Sequence, residues 1–324
     1  MAFTTVLQAI SFALVIVFPN LALMALGFGL QRFTMLNQTF VDTASKLVFN
    51  YCLPCLLFLS VIKSQIDYSE QITLIGAGFL TTFVLFFGSV AYAKWRVPDV
   101  RDKGVFVQGV FRSNMAIISL SVVTNAYGEL GTSVGAVYMG VITILYNVLA
   151  VIALSGTSMQ RSAGLSQQFF GITVNIIKNP LIIALVCAFV YKGLDLPSLP
   201  KPIADTGQLL ANTALPLALI CTGAALNVKS MFTLSGVSMQ ASIGRVIIAP
   251  LVAVMTGVMM ALPPLYFGVL FVMVASPAAA ASYVMAKAMG GNDVLAANIL
   301  AFTTVFSMIS LTVGMVLLRL IGWV

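Results

Sequence analysis

Gln108 and the triplet Arg112-Ser113-Asn114 interrupt an otherwise apolar run from Val105 to Thr124. A charge near the centre of a bilayer costs at least ~2.5–3.5 kcal/mol on insertion scales, so a chain that keeps one there usually has a use for it. The guanidinium of Arg112 is a planar fork suited to a carboxylate. A second interruption, Ala275-Ser276-Pro277-Ala278, falls inside Tyr266 to Met285. Serine followed by proline reads as an N-cap and first helical residue, and Ser113-Asn114 supplies cap-type residues at the corresponding place in the first run. These stretches predict two broken membrane helices whose inner N-termini meet near mid-membrane. A helix N-terminus leaves N–H groups unpaired and carries about half a positive charge, so two such ends beside Arg112 favour an anion. All nine acidic residues lie in loops or near span ends, leaving no carboxylate cage for a cation in the membrane centre. The chain has no histidine, which removes the commonest proton shuttle. Without a general base, a central acidic cluster or a metal-ligand set, an enzyme is not expected.

The elements that position these residues are long apolar ones. Of 324 residues 60% are apolar and 8% charged, against roughly 25% charged in a soluble domain. The sequence predicts an all-α polytopic membrane protein with ten apolar runs long enough to cross ~30 Å of hydrocarbon. The first five are Leu7 to Leu30, Leu47 to Val61 (or from nearer Asp42), Ile72 to Ala93, Val105 to Thr124 and Val134 to Leu154. The second five are Phe170 to Tyr191, Leu209 to Leu226, Leu234 to Met260, Tyr266 to Met285 and Val294 to Leu318. The net charge of +7 resides mostly in short loops between runs, not on a basic face, so nucleic-acid binding is not expected. Arg32, Lys94, Arg96, Arg101, Lys103, Arg161, Lys229 and Lys287 fall in one set of alternate loops; Lys63, Lys192, Lys201 and Arg319 fall in the other. The larger set marks the cytoplasmic side and leaves both termini outside. With no basic segment before its first run, the N-terminus reads as an uncleaved span. Cys52, Cys55, Cys187 and Cys221 lie inside apolar runs as small hydrophobes, and Cys52-Leu53-Pro54-Cys55 lacks the context of a redox motif.

The two halves repeat. Pro19 and Pro180 lie 161 residues apart, and Asn50-x-x-x-Pro54 and Asn212-x-x-x-Pro216 lie 162 apart. Asp42-Thr43 and Asp205-Thr206, like Ser113 and Ser276, are offset by 163, and Gly128 and Gly290 by 162. An odd number of spans per copy turns the second copy upside down, giving two inverted five-helix repeats with broken crossing helices 4 and 9. Residues 1–156 form the first repeat, 157–168 a cytoplasmic link and 169–324 the second. Secondary transporters of this architecture place substrate between repeats at the midplane.

Each polar residue also has a plainer reading. Arg112 either supports a binding site or snorkels to the cytoplasmic surface, and Arg245, ahead of Pro250, has the same two options. Asn50 and Asn212 either face a substrate or repair backbone bonds broken by Pro54 and Pro216. Lys178 marks an interface, with Ser166 to Ile177 as an amphipathic lead-in. Asp42 and Asp205 are N-terminal helix charges, and Asp42 can pair with Lys46 at i,i+4.

The run Asn50-Tyr51-Cys52-Leu53-Pro54-Cys55-Leu56-Leu57-Phe58, the knot Phe111-Arg112-Ser113-Asn114, the segment Asn179-Pro180-Leu181-Ile182-Ile183 and the stretch Ser276-Pro277-Ala278-Ala279-Ala280-Ala281-Ser282-Tyr283 together resemble the auxin efflux carrier family of permeases. The resemblance covers nearly the whole chain. It implies a bile-acid-symporter-like fold in which spans 1, 2, 6 and 7 are a scaffold and the rest a moving core. It also implies organic anions as cargo. Carried over, the crossover residues are Ser113, Asn114, Ser276 and Pro277, with Asn50 and Asn212 facing them from the scaffold. Plant members often carry proline in both crossing helices, where this fourth span has Asn114, and many have a long cytosolic loop that this chain lacks. The compact form resembles bacterial members and points away from auxin itself. The expectation is an alternating-access, elevator-like carrier of small carboxylates or dicarboxylates in a bacterial inner membrane. Its partners would be the anion and the lipid bilayer, a homodimer being one compatible assembly, and it would need no cofactor or metal. A ligand-binding membrane sensor and a carrier of amino acids or cations are the alternatives.

Overall fold

The structure, a computed structural model, describes residues 2–64, 71–155, 174, 177–226 and 236–323. The expected link at 157–168, the amphipathic lead-in before Lys178 (save 174 and 177), Arg161 and Lys229 lie outside them. Among the described residues the secondary structure is helical, apart from one isolated β-bridge. Seven helices are long and apolar enough to cross a membrane.

Helix α1 (Ala2–Arg32) is followed by α2 (Gln38–Lys63), which starts at Asn37, whose side chain accepts the Phe40 N–H at 2.8 Å. Asp42, one turn inside, accepts from the Gln38 amide at 2.9 Å instead of pairing with Lys46. A π turn at Val48–Cys52 precedes Pro54, a widening that suits a residue with no N–H to give. Helix α2 thus begins where the alternative start near Asp42 places it. Next come α3 (Ile72–Arg96) and α4 (Val100–Phe111), the latter capped by Asp99 on the Arg101 N–H at 2.8 Å. Helix α5 (115–127) opens with a π turn at Met115–Ser119, and Gly128, at φ 61°, separates it from α6 (129–155). Only glycine adopts that backbone without strain.

The remaining helices are α7 (Pro180–Gly193), α8 (Lys201–Ala224), α9 (Gly236–Met259), α10 (Pro264–Ala275), α11 (Ala280–Ala288) and α12 (Asp293–Leu320). Asn179 caps α7 on the Leu181 N–H at 2.9 Å, with Pro180 as its first residue. Asn292 caps α12 on the Leu295 N–H and donates to Asp102 at 2.8 Å, fastening the start of α4 to the turn after α11.

Helices α4 and α10 have 12 residues each, which is about 18 Å of helix and less than the hydrocarbon thickness. Gly104 to Phe111 and Tyr266 to Ala275 are buried on every side, enclosed by α3, α6, α9 and α12. The outer helices instead expose one apolar face, such as Val15 and Phe18 of α1, as a lipid-facing helix must. Helices α1, α2, α7 and α8 pack on one another, and α3, α4, α6 and α9 to α12 form a second group, the two joined by an extensive contact of α1 along α12. Helices α1 and α8 cross with their backbones in contact. A Cβ on Gly27 would stand 2.0 Å from the Ile220 carbonyl oxygen, and one on Gly223 would stand 1.9 Å from that of Met24.

Candidate functional site at the crossing of two interrupted helices

The break after α4 and the break after α10 meet. Residues 112–114 and 277–279 run antiparallel as a short bridge at Ser113 and Ala278. The Asn114 N–H donates to the Pro277 carbonyl at 2.8 Å, and the Ala279 N–H to the Arg112 carbonyl at 3.0 Å. The Ala278 N–H is received by the Thr303 hydroxyl of α12 at 3.1 Å. Ser113 pairs with the Tyr146 hydroxyl at 3.1 Å, and Ser276 with Ser119 at 2.6 Å. Backbone groups freed by stopping two helices inside a water-poor interior are thereby answered by each other and by hydroxyls.

This arrangement corrects the expectation that Ser276 caps a helix beginning at Pro277. Helix α11 begins at Ala280, the N-cap position is the extended Ala279, and no side chain caps it. Proline fixes its own φ and pushes the residue before it toward extended backbone, and the bridge needs 277–279 extended as well. Asn114 does occupy the N-cap position before α5, but its side chain makes no capping bond. The ends meeting here are the C-termini of α4 and α10 as well as the N-termini of α5 and α11.

Arg112 does not snorkel. It is 5% exposed, and its two Nη atoms donate to Asn147 Oδ1 and Met285 Sδ, both at 2.7 Å. Arg245 is fully buried, and donates through Nε to the Ser276 carbonyl at 2.9 Å and through Nη1 to the Val110 carbonyl at 2.8 Å. Neither guanidinium has a carboxylate among its described partners. One turn before Arg112, the buried Gln108 amide has no hydrogen-bond partner on either atom among the described residues.

The two asparagines lie apart from this cluster. Asn212 accepts from Gln208 at 2.8 Å, which in turn accepts from Lys63 at 2.6 Å. Lys63, Gln208 and Asn212 line a cavity of about 410 Å³ between α2 and α8 on one side and the α5–α6 junction on the other, which contributes Thr124, Glu129 and Thr132. Asn50 is exposed on the π turn of α2, and among the described residues no hydrogen bond joins either asparagine to the crossing. The Asn212 side-chain oxygen takes the Gln208 amide.

Sequence reasoning missed Asn147, Tyr146, Met285 and Thr303 as partners of the crossing, and Lys63 and Glu129 as cavity walls. Asn147 is a polar residue inside the apolar run Val134 to Leu154, the same signal that singled out Gln108. Glu129 follows a repeat landmark, Gly128. Met285 and Thr303 carry no such mark.

A model of the family described as membrane transport protein matches residues 12–315. The chain is 24% identical over 302 residues to a protein described as an uncharacterized transporter of Methanothermobacter thermautotrophicus, covering 92% of this chain and 96% of that one.

Proposed function

Because the chain belongs to the membrane transport protein family, the auxin efflux carrier family that its motifs resemble, we propose that it is a secondary carrier that moves small organic anions by alternating access. The observation that carries the anion is the crossing itself. Arg112 lies buried beside the starts of two helices, and its described partners, Asn147 and Met285, are neutral. Buried positive charge with spare donors favours a carboxylate or dicarboxylate. In this reading Arg112 meets the carboxylate, and the helix starts after Ser113-Asn114 and Ser276-Pro277 present N–H groups to it. Asn212 of α8, on the cavity wall, and Asn50 of α2 would orient the cargo from outside the crossing cluster.

The spans would number ten if α4 with α5, and α10 with α11, each count as one interrupted crossing and α7 as another. Two inverted repeats fit the positive φ shared by Gly128 and Gly290, each following an interrupted helix and 162 residues apart. The group of α1, α2, α7 and α8 would stay fixed while the group holding the crossing moves, with both termini outside a bacterial inner membrane.

The test is thermal stabilisation of purified protein across mono- and dicarboxylates, amines and amino acids, followed by flux in liposomes. Stabilisation and transport by a carboxylate support the reading, and a response to amines alone overturns it. A second reading, an amino-acid carrier, is favoured by one feature: Lys63 and Glu129 stand on the same cavity, an ammonium and a carboxylate for the two ends of a zwitterion. Amino acids in the same panel separate the two.

A further inference from the structure

Arg245 sits in the π turn at Gly244–Ile248 of α9, five residues before Pro250. Helices α9 and α4 approach closely there. A Cβ on Gly244 would stand 2.9 Å from the Val110 side chain, and one on Gly109 would stand 3.7 Å from the Ala241 Cβ. Two glycines thus bring the backbones near enough for the arginine to reach main-chain oxygen.

Its two acceptors are of one kind. Val110 is in the last turn of α4, and Ser276 is the residue at which α10 ends. The last carbonyls of a helix lack intrahelical N–H partners and together carry about half a negative charge. One guanidinium therefore answers the C-terminal ends of both interrupted helices, at 2.9 and 2.8 Å. Arg112 is used differently: its carbonyl joins the bridge, while its guanidinium reaches, among the described residues, an amide and a thioether.

We propose that Arg245 is a positioning residue, a clamp that holds the ends of α4 and α10 together so that residues 112–114 and 277–279 stay paired as one unit. The consequence for transport rests on the reading of the crossing as the substrate site. Within it, Arg245 acts on substrate through the geometry of Arg112 and the helix starts and does not itself touch the cargo. A single cation spanning both breaks also requires α9 to travel with the crossing.

The experiment compares Arg245→Met, Arg245→Lys and Arg112→Met by amide hydrogen exchange and by transport kinetics. Exchange at Asn114 and Ala279 reads the bridge without any substrate, so it tests the clamp even if the cargo is not a carboxylate. In Arg245→Met those two amides should exchange faster by roughly ten- to hundredfold, the factor expected on losing charged hydrogen bonds to buried carbonyls. The long helices should keep their protection. Arg245→Met should also raise KM for the carboxylate, and Arg245→Lys, which keeps the charge but cannot fork, should recover part of both the protection and the KM. Arg112→Met should leave both amides protected while carboxylate affinity falls. Unchanged exchange in Arg245→Met would overturn the clamp. So would global loss of protection in both Arg245 variants, because the residue would then support the core at large and not the crossing.

Discussion

At the residue scale, the question is what Arg112 has left to give. A guanidinium carries five N–H donors in a fixed fork, and the described partners, Asn147 and Met285, are neutral. An incoming carboxylate would replace a thioether, a weak acceptor, with a charged one. Arg112→Ala should therefore weaken carboxylate binding by about 2–5 kcal/mol, the usual loss when one partner of a buried charged pair is removed. Calorimetric titration of the variant checks it; unchanged affinity would move the binding charge elsewhere. Arg112 and Ser276-Pro277 were legible in the sequence because a charge and a proline stand out against an apolar background. The work of Arg245 was not. Its acceptors are main-chain oxygens 31 and 135 residues away, and every residue type has a carbonyl.

Among elements, the interrupted helices were foreseen but their local backbone was not. The sequence suggested helices starting at the cap residues, whereas the two breaks pair as extended segments before either helix resumes. Pairing answers main-chain groups from both segments at once, which a side-chain cap at one end cannot do. Pro277→Ala should therefore do less than join α10 to α11 into one helix, since the bridge still holds 277–279. It removes the constraint on Ser276 and adds an N–H, so transport should fall several-fold with the fold intact, measured as flux at matched protein insertion. Normal flux would remove proline from the mechanism. The α1–α8 contact makes a stability prediction. Because a Cβ on Gly223 would collide with backbone rather than a flexible side chain, Gly223→Ala must push the helices apart. A loss of about 1–3 kcal/mol, as for an overpacked core, should appear as a lowered thermal transition in detergent. Nothing in a sequence with 25 glycines distinguishes Gly27 and Gly223 from the rest.

For the whole molecule, α1, α2, α7 and α8 pack on one another and meet the group enclosing the crossing along α1 and α12, with a cavity between α2, α8 and the α5–α6 junction. Lys63 ends α2 on that cavity, and it belongs to the smaller set of loop cations assigned to the outside. The same assignment puts the α5–α6 junction and the start of α8 outside, so Glu129 and Gln208 on the cavity wall agree with it. Lys94 and Arg96, at the far end of α3, belong to the opposite face. The cavity should then open outward, and this can be tested without knowing the substrate. In a background with Cys52, Cys55, Cys187 and Cys221 replaced, a membrane-impermeant maleimide should label Lys63→Cys and Asn212→Cys on intact cells. Arg96→Cys should react only after permeabilisation, and tags next to Met1 and Val324 should both be reached from outside. Protection of Asn212→Cys by saturating carboxylate would join the cavity to the transport path. Labelling of the two termini from opposite sides would rule out an even number of spans and, with it, the inverted five-helix repeats.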